Sequence, residues 1–307
     1  MNLYFAPLEG ITTFTYRNIH NEVFGGTDAY FAPFITPSEN EKVNKKGIRD
    51  ILPENNTATI NAQVLSNNAE SFLKFCRKIK EIGFNEININ LGCPSSTVVK
   101  KGRGSGFLKE PKKLETFFEE VFLKTDMKIS VKTRTGYYES REMNMLMEIY
   151  NKYPISLLTI HSRTREDYYK GIPDDNVFFE AFKVSKNEVC YNGNIFSVND
   201  YKEKTSRFPN LKNIMIGRGA IANPAIFREI KGGNRLSRDE LLEFSERLCE
   251  NYLLLLGSDT YTLNKIKEVW LYMMWNFPEE KKILKNIKKS EKLADLMNAV
   301  LTIPEIN

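Results

Sequence analysis

Apolar and polar positions along the chain alternate between two periods. Short β-rich runs recur at 2–6, 28–32, 58–64, 86–90, 128–132, 157–161, 189–192 and 213–216. Between them lie segments with a helical apolar period. In 110–124, Pro111 suits a first helical turn, and Leu114, Phe117, Phe118, Val121 and Phe122 fall on one face. Strands alternating with helices imply right-handed crossovers and a parallel sheet, and eight such units close on themselves. The pattern therefore predicts an α/β fold, a (β/α)8 TIM barrel.

The rhythm breaks after Gly232-Gly233. Ser237 is a predicted N-cap with Glu240 three residues on, and the rest of the chain reads as helix. Leu241, Leu242, Phe244, Leu248 and Leu253 form one stripe, Ile266, Val269, Trp270 and Met273 a second, and Leu293, Leu296, Met297 and Val300 a third. The predicted division is a barrel over 1–235 followed by a small C-terminal helical bundle over 236–307.

The length of 307 residues accommodates one barrel of about 250 residues plus such a bundle. With 41% hydrophobic and 27% charged residues, the composition is that of a folded globular chain. The apolar run 253–256 is far short of the roughly 20 residues that cross a bilayer. The start, MNLYFAPLEG, lacks the basic and apolar regions of a secretory signal. A cytoplasmic protein with reduced thiols and no membrane partner is expected. Cys76, Cys93, Cys190 and Cys249 form no CxxC pair, which argues against a disulfide framework and a metal site. The net charge of +5 and pI near 8.8 suit an anionic partner without identifying one.

Candidate chemistry gathers where the predicted strands end, at the barrel's C-terminal mouth. The first runs into Pro7-Leu8-Glu9-Gly10, the third holds Gln63, and the fourth runs into Asn90 and Cys93. The fifth ends at Lys132 with Arg134 beyond, and the sixth at His161 with Arg163 beyond. The seventh ends in Asn192-Gly193-Asn194 and the eighth in Gly217-Arg218-Gly219. One polar strand end is an ordinary loop residue; so many together mark a site. The last two loops are the common phosphate site of such barrels, where Arg218 adds a bidentate contact. Lys132 and His161 would flank the ligand's body, with Gln63 offering both a donor and an acceptor. Lys132 is also open to reading as a snorkelling or a Schiff-base lysine. Gly92-Cys93-Pro94 projects a thiol over the mouth, and Gly102, Gly104 and Ser105 suggest a mobile loop beside it. A thiol with an ordinary pKa of about 8.5 is protonated at neutral pH and suits proton donation better than nucleophilic attack.

Together, APLEGITTFTYR, ININLGCPSSTVVKKGRGSG, VKTRTG, HSRTREDYYKG, YNGNI and MIGRGAIANP resemble the dihydrouridine synthases over nearly the whole chain. The resemblance implies an oxidoreductase that binds FMN, takes electrons from NADPH and reduces uridines in RNA, tRNA before rRNA, to 5,6-dihydrouridine. It implies FMN held by Pro7, Leu8, Glu9, Gln63, Lys132, His161, Asn192, Gly193, Asn194, Gly217 and Arg218. Cys93 is then the proton donor, with Asn90 facing the uracil and Arg134 and Arg163 as candidate substrate-binding residues. The bundle would grip the RNA backbone through Lys265, Lys267 and Lys288, the last within a run that includes Lys281, Lys282, Lys285, Lys289 and Lys292. No metal is expected, and the protein is expected to act as a monomer. Two positions depart from the family pattern, Asn194 for the Asp of its NGD turn and Gly106 for an alanine; neither removes a required group. Dihydroorotate dehydrogenases carry a similar Asn-x-x-Cys-Pro turn on a flavin barrel, so an enzyme acting on a free pyrimidine is one alternative, although the basic tail has no role there. A non-catalytic RNA-binding module is another, although retention of Cys93 and Lys132 argues against it.

Overall fold

The computed structural model describes residues 1–37 and 44–306. Nine parallel strands match the predicted rhythm: β1 (Asn2–Phe5), β2 (Ala29–Phe31), β3 (Ile60–Asn61), β4 (Gln63–Val64), β5 (Glu86–Leu91), β6 (Lys128–Gly136), β7 (Leu158–Thr164), β8 (Val189–Asn192) and β9 (Asn213–Ile216). Their order is β3-β2-β1-β9-β8-β7-β6-β5-β4. The two outermost strands are halves of one predicted strand, separated by Ala62. β3 pairs with β2 and β4 pairs with β5, so this single stretch changes partner midway and closes the barrel. At the change, Ala62 O accepts Asn88 N at 2.9 Å and Asn61 O accepts Ala32 N at 3.0 Å, so the backbone stays paired.

Two strands run longer than their apolar pattern. β6 continues to Gly136 and β7 to Thr164, whereas the alternation of apolar residues ends near Lys132 and His161. The extensions stay paired, with a register shift between Arg134 and Gly136, because both arginines are buried, at 1% and 2% exposure. Along the strands successive side chains alternate between faces. Ala6, Phe31, Leu157, Cys190 and Met215 form a small cluster of their own. By that alternation Ala6, Cys190 and Met215 share the inward parity of Asn192 and Gly217. The larger core lies outside the sheet, beneath the barrel helices, with residues such as Ile87, Ile89, Val131 and Leu158 fully buried.

The helix Arg238–Leu256 begins at Ser237, whose hydroxyl accepts Glu240 N while the Glu240 carboxylate accepts Ser237 N. This is the predicted capping box. The helices Asp259–Met273, Lys281–Lys289 and Leu293–Val300 complete the region. The proposed boundary at 235/236 does not lie across a solvated linker alone. Phe244 packs edge-on against Tyr16 and Phe24, with ring centroids 5.3 and 5.1 Å away, so the helical region shares its apolar core with the first barrel helix, Phe14–Val23. Among the described residues, no helix is long and apolar enough to cross a membrane.

The same barrel helix carries Arg17, whose side chain is fully buried. Its guanidinium donates to Asp50 Oδ2 at 2.9 Å, Asn56 Oδ1 at 2.8 Å and Thr12 O at 2.7 Å. Asp50 also accepts Phe14 N at 2.7 Å. The pair therefore fastens the segment after β2 to the loop after β1. Removing one partner of a buried pair leaves a charge uncompensated, which costs about 3–5 kcal/mol. Asp50→Ala should lower the free energy of unfolding by about that amount, measured by urea denaturation; a loss below about 1 kcal/mol would show that water replaces the carboxylate.

Candidate active site

The C-terminal strand ends open into a cavity of about 270 Å³. Parallel register brings residues far apart in sequence side by side: Gln63 lies opposite Asn88, Asn90 opposite Lys132, Arg134 opposite His161, and His161 opposite Asn192. Pro7, Leu8, Glu9, Gln63, Asn90, Cys93, Lys132, Arg134, His161, Asn192, Gly193, Gly217 and Arg218 all line the cavity. Asn194 and Arg163 stand behind that lining. Asn194 Oδ1 accepts from both Arg163 Nη2 and Arg218 Nη2, each at 3.2 Å. Arg163 spends its other donors on the carbonyls of Lys170 and Gly171 and contacts His161 Nε2 at 3.3 Å.

Hydrogen bonds orient the thiol's turn. Asn90 Oδ1 accepts Gly92 N at 3.0 Å and Cys93 N at 2.9 Å. Its amide nitrogen donates to Gln63 Oε1 at 2.7 Å, and Gln63 Nε2 donates to Asn88 Oδ1 at 2.7 Å. From the other side, Arg134 Nε donates to Gly92 O at 2.7 Å, while its Nη1 donates to Thr164 O at 2.7 Å and Tyr168 O at 2.8 Å. One guanidinium thus braces two loop carbonyls and the last carbonyl of β7. The segment expected to be mobile is pinned: Ser105 donates to Cys93 O through both its backbone N and its hydroxyl, at 3.1 and 2.8 Å. At Gly106 a Cβ would sit 2.8 Å from Val99 O, so the loop packs at a distance no side chain allows.

Positive charge dominates the lining. Lys132, Arg134 and Arg218 face it with two carboxylates, Glu9 and Glu268, and burial pushes the Glu9 carboxyl upward. Burial, then the Arg134 charge, lowers the Lys132 ammonium to about 8. Lys132 faces the cavity instead of snorkelling outward, and its Nζ donates to Asn192 Oδ1 at 2.8 Å. Burial holds His161 well below the ordinary imidazole value, reinforced by Arg134 and Lys132, so the ring is neutral at pH 7. Burial raises the Cys93 thiol, more than Arg134 and Lys132 lower it. In the loop after β8, a Cβ on Gly193 would collide with the Tyr191 phenol, which donates to buried Asp175 at 2.8 Å. As lining residues, Arg218 suits an anionic group, Leu8 and the neutral His161 suit an aromatic body, and Gln63 suits an amide edge, a set that a flavin nucleotide fits.

The three candidate tail lysines separate. Lys265 donates to Gly10 O, and Lys267 to Ser290 O and Lys288 O. Lys288 is exposed on the Lys281–Lys289 helix, whose opposite face buries Ile283 and Ile287. Sequence reasoning missed several lining residues, among them Phe34, Tyr169, Glu268 and Tyr272. Tyr169 lies within the motif HSRTREDYYKG, where its spacing was a usable signal. Glu268 and Tyr272 come from the helix Asp259–Met273, whose period marks only the buried face.

Residues 4–302 match the family model described as dihydrouridine synthase. A Staphylococcus epidermidis protein named "Probable tRNA-dihydrouridine synthase" is 28% identical over 236 residues, covering 73% of this chain and 70% of that protein. An Oryza sativa subsp. japonica protein, a tRNA-dihydrouridine(47) synthase NAD(P)(+)-like by name, is 31% identical over 155 residues, 49% of this chain. That match spans 22% of the rice protein's own length. Among solved structures, morphinone reductase superposes with a TM-score of 0.53 at 9% identity, over 76% of this chain and 86% of that one. Histamine dehydrogenase from Rhizobium sp. 4-9 gives 0.56 at 13% identity, over 75% and 45%. At such identities the likeness shows the barrel fold.

Of the four cysteines, Cys93 alone is only partly buried. Iodoacetamide should label it first, with a pH midpoint above that of a free cysteine peptide treated alongside, because its pKa is raised. A midpoint below the peptide's would reveal a thiolate nucleophile instead.

Proposed function

The chain belongs to the dihydrouridine synthase family, and on that premise we propose that it uses NADPH and bound FMN to reduce uridines of tRNA to 5,6-dihydrouridine in the cytoplasm. The observation that carries this reading is a cation-rich cavity at the barrel mouth with a protonated thiol, Cys93, on its rim. Arg218 and the Asn192–Gly193–Asn194 turn would hold the phosphate of FMN; Pro7, Leu8, Glu9 and Gly217 would line the ring, and Gln63, Lys132 and His161 would meet its polar edge. Once reduced by NADPH, a bound FMN would supply the hydride that reaches carbon 6 of the uracil.

The protein's own residues manage the proton. Cys93 carries it at neutral pH and delivers it to carbon 5 of the uracil. The thiolate left behind faces Arg134 and Lys132, whose charges favour it. Asn90 sets the position of the Cys93 turn and faces the base. Arg134 and Arg163 act on the substrate side through the loops they brace. Lys288 and its exposed neighbours on the Lys281–Lys289 helix would meet the RNA backbone. Lys265 and Lys267 would join them with the ammonium hydrogens not spent on carbonyls. The relatives' printed names support tRNA as the substrate.

Purified protein should release FMN on denaturation and form dihydrouridine in unmodified tRNA when given NADPH, detected by nucleoside mass spectrometry. Cys93→Ala should keep its flavin and oxidise NADPH at the wild-type rate, yet lose about 10²–10⁴-fold in RNA reduction. A normal rate of RNA reduction in that variant would remove Cys93 from the mechanism.

Flavin binding should also depend on pH. A ring oxygen that accepts from Lys132 favours the charged ammonium and raises the lysine pKa above its ligand-free value of about 8, so the complex gains from that charge. That gain is complete below the ligand-free value, declines as pH rises past it and is gone above the higher value in the complex. FMN affinity, measured by fluorescence titration, should therefore fall above pH 8, and Lys132→Met should flatten the dependence. An unchanged profile would place the ring's polar edge away from Lys132.

A further inference from the structure

The chain holds two tryptophans. Trp270 is 1% exposed and donates its indole N–H to Ser245 Oγ. Trp275 is 47% exposed, although Met274 and Phe277 beside it are buried. It stands on the short turn Met274–Asn276, which is fastened to the barrel by Asn276 donating to Ala222 O at 2.6 Å. The backbone is therefore fixed while the indole is held out. Its ring leans on Tyr272, with centroids 5.2 Å apart, and on Phe196, 5.6 Å away.

These rings continue toward the mouth. Arg218 lies over Phe196 at 5.8 Å and over Tyr169 at 4.9 Å. Tyr169 is 52% exposed, and both it and Tyr272 line the cavity. A band of aromatic faces with one guanidinium among them thus joins the barrel loops to the helical region along one side of the opening. A contiguous band of exposed aromatic rings, unlike a single exposed ring, marks an interaction surface. Extruding a base from an RNA stack leaves its neighbours without a stacking partner. An aromatic face beside the opening supplies one without reading sequence, and the positive charge of Arg218 favours an anionic chain over an apolar peptide.

We propose that Trp275, backed by Tyr272 and Phe196, is a stacking platform for an unpaired RNA nucleotide next to the uridine that enters the cavity. The inference rests on the reading that RNA is the substrate. It is tested with the flavin-loaded full chain and an unmodified tRNA transcript. Trp275→Ala should raise the KM for the transcript about 5- to 100-fold, the span that loss of one base–aromatic stack produces, and Trp275→Phe should restore it to within roughly threefold. Flavin content and NADPH oxidation should match wild type in both variants. Because Trp270 is sealed in the core, the transcript should also quench tryptophan emission in the wild-type protein. An unchanged KM, an equal loss of NADPH oxidation, or quenching by NADPH and not by the transcript would each overturn the platform. If wild type binds and quenches with RNA but forms no dihydrouridine, the functional reading fails while the platform stands.

Discussion

The guanidinium of Arg134 is the contact on which the mouth of this barrel depends. It is 1% exposed, and its donors go to the carbonyls of Gly92, Thr164 and Tyr168. Those carbonyls belong to the ends of β5 and β7 and the loops beyond them, so one side chain on β6 sets the spacing of three neighbouring strand ends. Buried backbone carbonyls need donors, and a buried cation needs acceptors. Each requirement is met by the other without a carboxylate. Burial lowers the Arg134 pKa only to about 10, so the charge persists at neutral pH.

That retained charge shapes the neighbouring groups. It helps lower Lys132, adds to the burial that keeps His161 neutral and offsets part of the burial penalty of a Cys93 thiolate. The cavity is consequently a place where cations outnumber carboxylates while the thiol keeps its proton. Such a site prefers an anionic ligand and a proton donor at once, and the preference arises from one arrangement of buried donors. The amide chain from Asn88 through Gln63 to Asn90 performs the complementary task, fixing the cysteine turn by neutral hydrogen bonds that do not alter the charge balance.

The helical region is part of this site and not an appendage. Its first helix is anchored by Phe244 against Tyr16 and Phe24, and Lys265 reaches the carbonyl of Gly10 beside Glu9. Apolar docking places Glu268 and Tyr272 into the cavity wall. The barrel provides the polar floor, and the helical region provides one side of the opening.

Periodicity was enough to read the barrel, the start of the last helical region and most of the cavity lining. Alternation at 2 and 3.6 residues reports local burial, and barrel function collects at strand ends whatever the detailed packing. Ser237 with Glu240, and the polar ends at Gln63, Asn90, Lys132, His161 and Arg218, were legible for that reason. What the chain pattern did not carry depends on partners distant in sequence. The break at Ala62 exists because one strand serves two neighbours. β6 and β7 run on through arginines because backbone carbonyls accept them. Gly102, Gly104 and Ser105 looked like a mobile loop until Ser105 met the Cys93 carbonyl. Lys265 and Lys267 looked like free cations until carbonyls elsewhere in the fold accepted them. A sequence states which groups need a partner; only the closed barrel with its docked helices decides which partner is within reach.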